Sequence, residues 1–132
     1  MTLKELIKSR YSVRSFTDEM VGIEKIKEIL DIANSAPSGG NIQPWKVYVV
    51  TGNSKNKLTS KALHNFDNGV QEEIAYEIYP KPLEDEYKRR RSQCAADMYN
   101  ALSIEKDDIE SRLKQVRENF RFFGAPVGMI IT

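Results

Sequence analysis

The chain has 132 residues, with 20 Lys or Arg against 19 Asp or Glu, so its formal net charge at pH 7 is +1. This length suits one domain, and the balanced charge argues against nucleic acid or an anionic membrane surface as a partner. The single cysteine, Cys94, excludes an internal disulfide, a CxxC pair and a zinc cluster, so we expect no metal site and a reducing cytoplasmic location. No apolar run approaches the length of a membrane span.

Two helices are predicted in the first part of the chain. Thr2 and Glu5 have the spacing of a capping box, which starts a short helix whose apolar stripe is Leu3, Leu6 and Ile7. A second helix begins near Gly22 and must end before Pro37. Its apolar residues recur at helical spacing: Ile23, Ile26, Ile29, Leu30 and Ala33.

A strand and a third helix follow. The segment Trp45 to Thr51 is β-branched and aromatic, which is typical of a strand covered on both faces. We expect Gly52 and Asn53 to close this strand and Ser54 to cap the third helix, whose apolar positions are Leu58, Ala62 and Leu63. No helix or strand is predicted for the polar stretch from Asn65 to Gln71.

Two more helices and a second strand complete the pattern. An extended break at 79–82 precedes a fourth helix marked by Tyr87, Arg91, Ala95, Met98 and Leu102. Asp107 and Asp108 begin a fifth helix, whose predicted buried stripe is Ile109, Leu113, Val116 and Phe120. Gly124 and Pro126 end the fifth helix. The segment 127–132 is predicted to be a buried strand. The element order predicts an α+β, layered α/β domain with a central sheet flanked by helices.

The first cluster that can carry chemistry follows the first helix and comprises Arg10, Tyr11, Ser12 and Arg14. In an extended segment, residues 10, 12 and 14 share a face, so two guanidiniums and a hydroxyl can converge on a phosphate or another electron-rich group. Solvation of the arginines, or their pairing with Asp18 and Glu19, is the alternative.

The second cluster is the loop between the second helix and the first strand, with Pro37, Ser38, Gly39, Gly40, Asn41 and Gln43. Adjacent glycines allow backbone amides to approach a ligand, and the Asn and Gln amides can bind the edge of a heterocycle. Neither phosphate-loop pattern, GxxxxGK[ST] or GxGxxG, is present. A turn without a binding role is the alternative.

Together the clusters resemble the nitroreductase family, which has an RxSxR signature near the N-terminus and SAPSGGNxQPW before the first strand. The segment 119–128, NFRFFGAPVG, and the segment 79–91 resemble one branch of that family. The resemblance implies an α+β homodimer with FMN between the subunits, reduced by NADH or NADPH. It further implies reduction of nitroaromatics, quinones or similar small acceptors.

The resemblance also implies roles for individual residues. Arg10 and Ser12, with Tyr11 between them, would bind the FMN phosphate, and Arg14 would lie near the pyrimidine end of the flavin. The residues Pro37 to Asn41, and Gln43 as a less certain member, would reach the flavin of the partner subunit. No catalytic side chain is expected, because the flavin carries the hydride chemistry.

Members of the family continue well beyond the strand at 127–132, with further strands, a dimer-core helix and more flavin contacts. The resemblance therefore implies that residues 1–132 form a single, incomplete nitroreductase-like domain. The alternative function is a non-catalytic, truncated module that dimerises or binds flavin weakly.

Three further residues or runs have simpler interpretations. The basic run 88–91 lies among Glu84, Asp85 and Glu86, so we expect a solvated, internally paired helix face. Cys94 is expected in the core, beside the apolar stripe of the fourth helix. Trp45 is expected to be a core residue at the start of the strand, with a position beside the flavin as the alternative.

Overall fold

The structure, a computed structural model, describes residues 1–71 and 76–132. Its helices and strands follow the predicted order. The elements are α1 (Leu3–Ser9), α2 (Ile23–Ala33), β1 (Val47–Thr51), α3 (Gly52–Asp67), α4 (Asp85–Ala101), α5 (Ile109–Phe120) and β2 (Val127–Ile131). Short 3-10 turns lie at Gly39–Asn41 and Phe122–Gly124.

The two strands pair with each other in antiparallel orientation, and Val49 lies opposite Met129. Hydrogen bonds between the backbones of Lys46 and Thr132 extend the ladder by one residue. The first strand begins at Val47 rather than at Trp45, whose indole NH instead donates to Oδ1 of Asn34, the C-cap of α2, at 3.4 Å. The expectation that this strand is covered on both faces is wrong for the described chain, since its first three residues are exposed.

The start of α3 also differs from the prediction. Thr51 is its N-cap, so Gly52 and Asn53 belong to the helix and Ser54 does not cap it. The helix continues to Asp67, into the polar stretch from Asn65 for which the sequence predicts no helix or strand. Because the strand leads straight into the helix, no separate turn is needed.

Helix α3 packs on the sheet and on α5. The Lys55 ammonium donates to the carbonyl of Ala125, just before β2, at 2.7 Å. Near the other end of α3, the rings of Phe66 and Phe120 lie 5.1 Å apart, a distance that suits an aromatic pair. These contacts join elements that are distant in the sequence.

The start of α1 confirms the predicted capping box, and α5 starts after Asp108, as the sequence predicts. The Thr2 hydroxyl accepts from the Glu5 backbone NH at 3.3 Å, and the Glu5 carboxylate accepts from the Thr2 NH at 2.7 Å. The Asp108 carboxylate accepts from the Ser111 NH at 2.9 Å. Both helices therefore begin where side-chain oxygens satisfy free backbone donors.

Little apolar surface is buried in the described chain. Ile26, which is 4% exposed, and Ala125, which is 9% exposed, are its buried hydrophobic side chains. The predicted stripes of α1 and α5 are largely open: Leu3 is 73% exposed and Ile109 is 61% exposed. Cys94, expected in the core, is also exposed. The apolar helix faces therefore lie open in a single chain of these residues.

Among residues 1–71 and 76–132, every helix is too short or too polar to span a bilayer.

Candidate functional site

The first cluster lies in the stretch 10–22, which is neither helix nor strand and runs beside the turn before β2. The guanidinium carbon of Arg14 lies 6.0 Å from the ring centroid of Phe123. The carbonyl oxygen of Phe16 lies 3.9 Å from the point where a Cβ on Gly124 would be. The turn and the cluster are thus neighbours, although about a hundred residues separate them in the sequence.

Both arginines of the cluster are open to solvent. Within the two described ranges, no carboxylate forms an ion pair with Arg10 or Arg14, so the alternative of pairing with Asp18 and Glu19 is not seen there. Arg14 Nη1 makes a long hydrogen bond, 3.4 Å, to the Ser12 carbonyl oxygen. Both guanidiniums keep donors that can bind an anionic or electron-rich ligand.

The neighbouring turn has an unusual backbone. Phe122, Phe123 and Gly124 have φ angles of 55°, 52° and 82°, so three consecutive residues are in the left-handed region. This region is uncommon for non-glycine residues, and runs of such residues usually mark a site that the surrounding structure holds in place. Here the turn sets the entry into β2 beside the Arg14 segment.

The second cluster is a tight loop with its own internal hydrogen bonds. The Ser38 hydroxyl accepts from the Gln43 NH at 2.9 Å, and the Ser38 carbonyl accepts from the Asn41 NH at 2.9 Å. Gly40, Asn41 and Gln43 have φ angles of 58°, 55° and 44°. Glycine and asparagine tolerate this conformation, whereas Gln43 adopts it at a cost in strain. The loop therefore has a defined shape.

This loop faces away from its own chain. Its residues are exposed apart from Ser38, which is half-buried. A Cβ on Gly39 would meet nothing within 4 Å, so packing inside the chain does not explain the glycine there. The side-chain amides of Asn41 and Gln43 make no hydrogen bond to any residue that the structure describes.

The structure does not bring the two clusters into one cavity. The ends of the loop, through Ala36 and Trp45, border a cavity of about 400 Å³ between α2 and the sheet. Arg14 borders a different cavity, of about 840 Å³, beside α4. The half-buried Trp45 thus packs near α2 as well as preceding the strand.

The cavity beside α4 is lined in part by residues that the sequence did not indicate as site residues. Lys88 pairs with Asp85 at 2.8 Å and Arg90 pairs with Glu86, as expected for an internally paired helix face. Arg91 differs, because its guanidinium carbon lies 4.6 Å from the ring centroid of Tyr79. The position of Arg91 on the predicted apolar stripe of α4 is the sequence signal that it lies on the face of the helix that lines this cavity, where it remains exposed.

The donor chemistry of the two clusters fits a phosphate-bearing heterocycle such as FMN. Arg10 and Ser12 offer a cation and a hydroxyl suited to a dianion, and Arg14 adds a second cation four residues away. The amides of the second cluster suit a ring edge. Among the described residues, no group of three or more His, Cys, Asp or Glu side chains is placed to hold a metal ion.

The protein-family model described as the Nitroreductase family matches residues 7–132. The chain is 38% identical, over 133 residues, to the nitrobenzene nitroreductase of Ectopseudomonas oleovorans, covering 98% of this chain and 58% of that protein. It is 37% identical, over 130 residues, to the 4-nitrobenzoate reductase of Nocardioides sp. (strain LMS-CY), covering 96% of this chain and 53% of that protein.

Among solved structures, the chain resembles the FMN and NADPH-dependent nitroreductase NfnB of Sphigopyxis sp. strain HMH with a TM-score of 0.92 and 36% identity. That match covers 99% of this chain and 59% of the other. The observed fold is therefore the predicted α+β, nitroreductase-like fold, and the chain spans little more than half the length of the relatives it matches.

Proposed function

Because this chain belongs to the nitroreductase family, we propose that it acts in an FMN-dependent oxidoreductase that uses NADH or NADPH to reduce nitroaromatics, quinones or similar small acceptors. The names of its relatives support the activity on nitroaromatics. The observation in this chain that carries the proposal is the pair of solvent-exposed guanidiniums, Arg10 and Arg14, in the stretch 10–22 that is neither helix nor strand.

The first cluster would hold the phosphate end of the cofactor. Arg10 offers a planar, permanently charged fork, and Ser12 a hydroxyl donor, so together they can bind two or more phosphate oxygens. Tyr11, exposed between them, would border the same end. This is electrostatic positioning, and no proton transfer is required of these side chains.

Arg14 would have a different task near the ring. Bound FMN supplies the redox chemistry, accepting a hydride from the nicotinamide and passing electrons to the acceptor. A fixed positive charge beside the pyrimidine edge stabilises the negative charge that reduction places there. The position of the Arg14 guanidinium carbon, 6.0 Å from the Phe123 ring centroid and beside the turn before β2, supports this role.

The second cluster would serve the cofactor of a partner subunit, in a homodimer with FMN between the subunits. Pro37, Gly39, Gly40, Asn41 and Gln43 are exposed, and with Ser38 they form a loop of defined shape. Its separation from the Arg14 cavity within one chain supports this division. A loop that completes a neighbour's site also explains why the amides of Asn41 and Gln43 are left open in its own chain.

The alternative is a non-catalytic module that dimerises or binds flavin weakly. The observation that favours it is the small buried core of the described residues, with Ile26 and Ala125 as the buried hydrophobic side chains. A single domain of 1–132, incomplete by itself, would need further surface to cover its helices. Both functions require association with more protein, so association alone does not separate them.

Flavin content and turnover separate the two functions. The purified protein is expected to be yellow, to quench FMN fluorescence on titration, and to oxidise NADH or NADPH when nitrobenzene is added. Stripping the flavin should abolish the oxidation, and adding FMN should restore it. A colourless protein that takes up no added FMN would support the non-catalytic module instead.

A further inference from the structure

The cavity of about 840 Å³ beside α4 has one apolar side and one cationic side. Ala95, Met98 and Leu102 form the apolar wall, at the spacing of one helix face. Arg14, Arg90 and Arg91 supply positive charge, and no carboxylate lines the cavity among the described residues. A volume in this range holds a small organic ligand.

The three arginines of this cavity are not equivalent. Arg90 is already paired with Glu86, which neutralises much of its charge. Arg14 belongs to the cluster assigned to the cofactor. Arg91 forms no ion pair within residues 1–71 and 76–132, and its guanidinium lies over the ring of Tyr79 at 4.6 Å. Stacking on an aromatic face orients a guanidinium and leaves its edge donors available.

We propose that this cavity binds the aromatic electron acceptor and that Arg91 recognises a carboxylate on the acceptor's ring. The inference rests on the proposed function, because Arg14 belongs both to the cofactor cluster and to the wall of this cavity. The apolar helix face contacts the ring, and the guanidinium edge binds the carboxylate through charge-assisted hydrogen bonds. The relatives named for nitrobenzene and for 4-nitrobenzoate differ in whether the acceptor carries a carboxylate. In this chain, Arg91 favours the acceptor that carries one.

The 2′-phosphate of NADPH has the same recognition chemistry, so the experiment must separate the two anions. Benzoate and benzamide have nearly the same shape and differ in charge. A pair of substrates, 4-nitrobenzoate and 4-nitrobenzamide, extends the comparison to turnover. NADPH and NADH differ by that one phosphate, so the ratio of their efficiencies shows whether Arg91 binds it.

The first measurement is binding of benzoate and benzamide to the purified protein by calorimetry, which needs no turnover. The wild-type protein should prefer benzoate, and Arg91→Gln should weaken benzoate binding about tenfold, as expected for loss of a charge-assisted hydrogen bond. The matched control is Arg89→Gln, since Arg89 has the same charge on the same helix but does not line this cavity. Equal affinity for the two ligands, or equal losses in the two variants, would overturn the proposal.

The second measurement is kcat/KM with the flavin-loaded protein. Arg91→Gln should lower kcat/KM for 4-nitrobenzoate about tenfold relative to 4-nitrobenzamide, and the ratio of NADPH to NADH efficiency should stay constant. A change in the NADPH ratio alone would assign Arg91 to the nucleotide and overturn the proposal. Benzoate binding without FMN uptake would support this anion site while removing the proposed function, so the two failures are distinguishable.

Discussion

The ring of Phe122 lies where a side chain on Gly128 would have to be: a Cβ on Gly128 would be 2.7 Å from the ring atom Cε1. Phe122 is in the left-handed turn before β2, and Gly128 is the second residue of that strand. The turn therefore folds back over its own strand, and glycine permits the close approach.

Gly128→Ala is expected to destabilise the fold by about 1 to 3 kcal/mol, because the added methyl group overpacks the contact with Phe122. Urea unfolding followed by circular dichroism measures this change. The control is a double-mutant cycle with Phe122→Leu, which removes the ring atoms. In the Phe122→Leu background, Gly128→Ala should reduce the free energy of unfolding much less. Additive losses would show that Phe122 is not the cause.

Arg10 and Arg14 are expected to act on different properties of the flavin. Arg10→Ala should weaken FMN affinity by about tenfold or more, because a charge-assisted phosphate contact is lost. Arg14→Ala should lower the reduction potential of the bound flavin, since a stabilising positive charge is removed. Fluorescence titration and a dye-equilibrated redox titration measure the two quantities.

The control for charge alone in that comparison is Lys8→Ala, since Lys8 is an exposed cation in the last turn of α1. It should change neither FMN affinity nor potential. Equal affinity losses for Arg10→Ala and Arg14→Ala, with an unchanged potential, would contradict the division of roles.

The protein is expected to be a homodimer at micromolar concentration. Large apolar side chains lie open on several helices, including Ile7 at 66% and Ile32 at 66% exposure, and such surface usually marks an interface. Multi-angle light scattering should give twice the mass of the chain. A monomer that still unfolds cooperatively would show that no second copy is needed to cover this surface.

The N-cap of α5 predicts a pH-dependent contribution to stability. Hydrogen bonds from the Ser111 backbone and side chain, with a smaller effect from the charge of Lys114, lower the pKa of Asp108 below its ordinary value. The stabilisation is therefore complete above the unfolded-state pKa and is lost as the pH falls through the lower folded-state pKa. Asp108→Ala should reduce the melting temperature at pH 7 and have progressively less effect in acid.

The control for this prediction is Asp107→Ala, because the Asp107 side chain accepts no hydrogen bond within the described ranges. Scanning calorimetry of both variants from neutral to acidic pH compares them. A pH-independent loss in Asp108→Ala would show that the carboxylate charge does not contribute through the cap.

Much of the fold could be predicted because its signals are local. The capping box of Thr2 and Glu5, the cap at Asp108 and the apolar periodicity of α2 depend on neighbours within a few residues, so the sequence determined them. The boundary between β1 and α3 was less predictable. Gly52 and Asn53 suit a turn by propensity, but the structure continues directly from strand to helix.

The sequence by itself also determined the two residue clusters, since their identities and spacing are read directly from the chain. Only the tertiary structure decided that Arg14 lies beside Phe123, that Arg91 stacks on Tyr79, and that the two clusters border different cavities. It also decided that Ile109 and Leu113 stay exposed despite their helical stripe. The physical reason is that periodicity identifies which face of a helix is apolar, whereas burial depends on which distant surface packs against that face.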